Sequence, residues 1–121
     1  MSAEHAGDLA ARTVRAERFE LVDGEGKVCA VLAMDADGPA LVLFDAAGKG
    51  RATLAVAPHG PGLALYDAAG KIRAGLSADA EGPRLVLLDA AGKPRAGLLV
   101  TADGPDLALF DPAGKMIWRA P

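Results

Sequence analysis

The chain has 121 residues, 51% apolar and 24% charged, which fits one folded domain and excludes a disordered chain. Its formal charge of −3 offers no electrostatic attraction to nucleic acid or anionic lipid. No apolar run is long enough for a membrane-spanning helix, and the N-terminal stretch lacks the apolar segment of a secretory signal.

Residues 1–18 form an N-terminal segment. It is Ala-rich from Ala3 to Ala16, with Leu9, Ala10 and Val14 at helical spacing and Ser2 as a cap, which predicts a short helix. The remainder, 19–121, reads as one β-repeat domain. Five segments align without a gap: FELVDGEGKVCAVL (19–32), LVLFDAAGKGRATL (41–54), LALYDAAGKIRAGL (63–76), LVLLDAAGKPRAGL (85–98) and LALFDPAGKMIWRA (107–120). Asp23, Asp45, Asp67, Asp89 and Asp111 are spaced by 22 residues, as are the glycines from Gly26 to Gly114 and the lysines from Lys27 to Lys115. Gly38-Pro39, Gly60-Pro61, Gly82-Pro83 and Gly104-Pro105 separate the units.

Within a unit, Leu63-Ala64-Leu65-Tyr66 and Ile72 to Leu76 alternate with the period of a strand. Between them Asp67-Ala68-Ala69-Gly70 carries turn chemistry. Asp bonds the backbone N–H groups just ahead, and Gly tolerates the left-handed conformation that closes the loop. The Gly-Pro pairs break the chain before the next strand, because Pro has no N–H for a ladder. A four-residue loop pairing Tyr66 with Lys71 and Leu65 with Ile72 keeps Leu63, Leu65, Ile72, Ala74 and Leu76 on one face. A three-residue loop pairing Asp67 with Lys71 scatters the leucines, so the four-residue loop is expected.

The even period returns each unit to the same face. The expected interior ladder holds thirteen Leu in fifteen positions, with Leu21, Leu43, Leu65, Leu87 and Leu109 at its centre, flanked by Phe19 and Ala120. Burial of this ladder is expected to be the main stabilising term, since no single hairpin stands alone. Val22, Phe44, Tyr66, Leu88 and Phe110 form an apolar stripe on the outward face. This stripe is either covered by loops and the N-terminal segment, with Arg51, Arg73 and Arg95 laid across it, or it is an interface. The end units depart from the pattern: Cys29 and Ile117 replace the Arg, and Trp118 replaces an Ala.

The Asp-x-x-Gly-Lys strings sit between strands, whereas phosphate-binding glycine loops open helices, so they read as turns with a solvated Lys. Asp35-Ala36-Asp37-Gly38 and Thr101-Ala102-Asp103-Gly104 lack the distal Glu and ligand count of a calcium loop. His5, His59, Ser2, Ser77 and Cys29 occupy non-equivalent positions, so no catalytic, metal or cofactor site is expected. A lone Cys forms no internal disulfide, which favours a cytoplasmic location.

The string L-x-L-[FY]-D-A-A-G-K-x-R-A-x-L, followed by a D-G-P loop, resembles the bacterial β-hairpin repeat proteins of the β-flower type over residues 19–120. That resemblance implies hairpins set radially about an axis, and many such proteins are tethered to a membrane by an N-terminal segment. Tyr66-Asp67-Ala68-Ala69-Gly70-Lys71 also resembles the YD repeats of RHS shells, with Leu in place of their second Tyr.

The sequence thus predicts an all-β fold of five tandem 22-residue hairpins, about ten antiparallel strands, closed or nearly closed as a barrel or as splayed petals. The function expected is a non-enzymatic structural or assembly module that presents a rigid β-surface and associates with itself as a homo-oligomer. The alternative is a binding module holding an apolar small molecule or lipid chain in the Leu-lined interior. Neither nucleic acid nor a membrane span enters either reading.

Overall fold

The structure, a computed structural model, describes residues 12–120. Ten strands follow in order: β1 (Arg18–Val22), β2 (Val28–Met34), β3 (Pro39–Phe44), β4 (Gly50–Ala57), β5 (Gly60–Tyr66), β6 (Ile72–Asp79), β7 (Gly82–Leu88), β8 (Pro94–Thr101), β9 (Gly104–Phe110) and β10 (Met116–Ala120). They form one antiparallel sheet in strict sequence order. The helix expected over Ala3 to Ala16 lies mostly outside the described residues, and its described part, 12–16, is not helical.

The Asp turns hold three loop residues, not the expected four. The Asp67 N–H donates to the Lys71 carbonyl at 2.8 Å and the Gly70 N–H to the Asp67 carbonyl at 3.0 Å. Gly70 takes φ +85, the left-handed residue that follows a type I turn in a three-residue hairpin. The leucines nevertheless stay on one face, because a β-bulge follows. Tyr66 pairs with Ile72, yet Leu65 pairs with Ala74, leaving Arg73 as the extra residue. Two parity changes cancel. Ile72 therefore lies on the Tyr66 face, opposite to the side expected for it. Cys29, Arg51, Arg95 and Ile117 occupy the same bulge position in their hairpins.

At the other end of the sheet, the Gly-Pro connections are tight turns. Ala57 pairs with Gly60, Asp79 with Gly82 and Thr101 with Gly104, leaving two residues in each loop. Gly60-Pro61, Gly82-Pro83 and Gly104-Pro105 begin their strands rather than preceding them, whereas Gly38 still precedes β3 and only Pro39 lies in it. A Cβ on Gly60 would collide with the Ala78 carbonyl oxygen of the next unit, so Gly is required by close approach as well as by its φ of +139.

The sheet does not close. β1 and β10 are both edges, and each strand touches only its sequence neighbours. Closure, expected because it removes exposed edges, does not occur, and both edges stay open. Both edge strands have five residues and carry charge, with Arg18 bonded to Glu20 at 2.8 Å and Arg119 bonded to both oxygens of Asp106 at 3.0 and 2.9 Å.

The leucine ladder does not form a core either. Leu43, Leu65 and Leu87 are 46%, 45% and 45% exposed. Parity puts leucines on one face, but burying that face requires a second layer, and a single sheet has none. Among the described residues only Ala30, Val31 and Ala108 are buried apolar residues. Stability within one chain therefore comes from backbone ladders and cross-strand pairs, the latter contributing about 0.2–1 kcal/mol each.

Candidate functional site

The leucine face is the most distinctive surface. Across all ten strands one row runs Phe19, Leu32, Leu41, Leu54, Leu63, Leu76, Leu85, Leu98, Leu107 and Ala120. Beside it a second row alternates large and small as far as Leu109 and then ends in Trp118: Leu21, Ala30, Leu43, Ala52, Leu65, Ala74, Leu87, Ala96, Leu109 and Trp118. Toward the Gly-Pro turns the same face adds Val56, Pro61, Ala78, Pro83, Val100 and Pro105. No strand residue on this side carries a polar side chain. The five leucines expected to line an interior thus lie on an open surface.

The opposite face differs. Its central row is Glu20, Val31, Val42, Thr53, Ala64, Gly75, Val86, Gly97, Ala108 and Arg119, with charge only at its two ends. The stripe of Val22, Phe44, Tyr66, Leu88 and Phe110 lies on this face at the Asp-turn end, paired with Val28, Gly50, Ile72, Pro94 and Met116. Val22 is exposed and the other four are half-buried.

The turn edge is a continuous polar ladder. Asp67 Oδ1 accepts the N–H groups of Ala69 and Lys71, both at 3.0 Å, and the other four turns repeat this arrangement. The backbone N–H of the turn lysine is the largest cause holding the carboxyls of Asp23, Asp45, Asp67 and Asp89 below their ordinary range. Partial desolvation opposes it, and Arg51, Arg73 and Arg95 assist at the middle three.

These same arginines join adjacent units. Arg51 Nε donates to the Tyr66 carbonyl at 2.8 Å, Arg73 to Leu88 at 2.9 Å and Arg95 to Phe110 at 2.8 Å. Each guanidinium also pairs with the Asp of its own turn, at 3.3 Å for Asp45 and 3.6 Å for Asp67 and Asp89. The lysines are not simply solvated. Lys49 Nζ donates to the Ala68 carbonyl at 2.9 Å, Lys71 to Ala90 at 2.9 Å and Lys93 to Pro112 at 3.2 Å, while Lys27 reaches Ala46 in the same way. Sequence reasoning missed both joints. The available signal was the strict recurrence of Lys and Arg, since a merely solvated charge has no need of one register.

The nucleophilic and metal-binding residue types stay apart. His59 sits in the β4–β5 loop, Ser77 in β6 and Cys29 in the first bulge, while Ser2 and His5 lie outside the described residues. Among the described residues, no group of three or more His, Cys, Asp and Glu is placed to hold a metal ion, and no helix is long and apolar enough to cross a membrane. No family model matches the chain, and no curated protein matches it. The surfaces themselves carry the functional reading.

Proposed function

We propose that the chain is a non-enzymatic assembly module whose leucine face closes against the leucine face of a second copy. The supporting observation is the row of eight consecutive leucines, from Leu32 to Leu107, on a face with no polar side chain. Large contiguous apolar surfaces on soluble chains mark interaction sites. The alternating Leu and Ala row offers knobs and gaps of the kind that interdigitate in sheet-on-sheet packing about 10 Å apart.

The dimensions also suit a stable pair. Ten strands about 4.8 Å apart and about 20 Å long present a face of roughly 900 Å². Two such faces bury roughly 1,800 Å² together, within the usual range for specific complexes. The Val22-to-Phe110 stripe supports association less well, because four of its five residues are half-buried.

Light scattering after gel filtration tests this reading. The wild type is expected at two or more times the 12.2 kDa chain mass, and Leu65→Glu with Leu87→Glu is expected to reduce the assembly. A wild-type monomer at all concentrations refutes it. The alternative occupant, an apolar small molecule or lipid chain, has an open groove of about 390 Å³ lined by Leu54, Pro61, Leu63, Leu76, Ala78 and Pro83. Copurified apolar mass in native mass spectrometry of a monomer would favour that reading instead.

A further inference from the structure

The two sheet edges match each other. Internal joints between units set Leu32 opposite Leu41, Leu54 opposite Leu63, Leu76 opposite Leu85 and Leu98 opposite Leu107. One more 22-residue step places Ala120 opposite Phe19, Arg119 opposite Glu20 and Trp118 opposite Leu21 of a second copy. We infer that β10 of one copy pairs with β1 of the next, continuing the antiparallel sheet in its own register.

Three observations carry this. First, Glu20 and Arg119 are the only charged members of their row, and they have opposite sign at opposite open edges. In the joint they face one another directly. Their present partners, Arg18 and Asp106, extend the contact into an alternating cluster of four charges, because a carboxylate accepts several bonds and a guanidinium donates five.

Second, the lysine ladder is left incomplete at the edges. Lys27, Lys49, Lys71 and Lys93 each reach the carbonyl of the following turn, whereas Lys115 has no such partner among the described residues. The same step brings Lys115 to the carbonyl of Gly24 in the second copy, which no hydrogen bond among the described residues uses.

Third, the missing arginine has an internal precedent. Ile117 stands at the bulge position, so the new joint lacks the arginine contact. The joint between the first two units lacks it too, with Cys29 at that position, and still forms with the Lys27 contact to Ala46. The contact is heterologous, joining two different edges, so it propagates from copy to copy, as a filament or a closed ring, rather than stopping at a pair. It uses another surface than the leucine face and is independent of that reading.

Paired cysteines test it. In a Cys29→Ser background, Phe19→Cys with Ala120→Cys places two thiols at opposite ends of one sheet, where only a neighbouring copy can bring them into disulfide range. Mild oxidation is expected to give a ladder of covalent multimers, also when Leu65→Glu and Leu87→Glu disable the leucine face. The out-of-register pair Phe19→Cys with Trp118→Cys is expected to give no ladder. Absence of multimers from the in-register pair, or equal yields from both pairs, overturns the inference. Should the cysteine variants not fold, amide exchange in wild-type β1 and β10 decides. Protection that rises with protein concentration supports the joint, and protection that stays constant refutes it.

Discussion

Lys71 donates from Nζ to the backbone carbonyl of Ala90 at 2.9 Å, nineteen residues further along the chain and one turn along the sheet edge. Together with Arg73, which reaches the Leu88 carbonyl, it ties each turn to the next by side chains as well as by strand pairing. A contact made by an ion to a carbonyl at an exposed edge contributes about 0.5–1 kcal/mol. Lys71→Met keeps the apolar stem and removes the donor, so urea unfolding should show a loss of that size. An unchanged midpoint would mean that the strands alone hold the units together.

The two kinds of glycine should respond differently. Gly70 has φ +85 and open space around the position of a Cβ, so Gly70→Ala costs only the left-handed strain of about 1–2 kcal/mol. Gly60→Ala adds a collision with the Ala78 carbonyl and should cost more. Equilibrium unfolding of the two variants checks the order, and equal losses would contradict the close approach of adjacent units.

Acid should weaken the fold through the turn carboxylates. Asp23, Asp45, Asp67 and Asp89 titrate below the ordinary value of 3.8 because their ionised forms accept backbone N–H groups. The unfolded chain therefore binds protons first as pH falls. Stability from these groups is fully present above the unfolded value and is lost as pH drops through the lower folded values. Thermal melts should be flat in this contribution above about pH 5 and fall below about pH 4. Asp67→Asn should shrink the fall, and a melting temperature rising toward acid would contradict the assignment.

Strand order, turn positions and the segregation of leucines to one face were legible in the sequence, because they depend on local period and turn chemistry. Register near the turn was not. A three-residue loop scatters Leu63, Leu65 and Leu76 unless a bulge at Arg73 restores their common face, and alternation alone carries no mark of that bulge. Burial was not legible either, since alternation tells which residues share a side but not whether a second layer covers that side. The contacts of Lys71 and Arg73 depend on neighbours nineteen and fifteen residues away, respectively, a proximity that exists only once the sheet has formed.

Truncating a half-exposed leucine should be mild in an isolated chain and severe in an assembled one. Leu65→Ala is expected to cost about 1 kcal/mol in dilute solution, where half the side chain is already wet. Where a second sheet covers it, the cost should rise to about 2–5 kcal/mol. Unfolding measured at low and high protein concentration compares the two, and a cost independent of concentration would argue against a covered face.

The most direct measurement is hydroxyl-radical footprinting of Leu43, Leu65 and Leu87 across a concentration series, with Ile72, exposed on the opposite face of the interior strand β6, as the reference. Association through this face should suppress oxidation of the three leucines as concentration rises, relative to the reference. Oxidation that remains at the level of half-exposed side chains at every concentration would contradict the pairing of leucine faces.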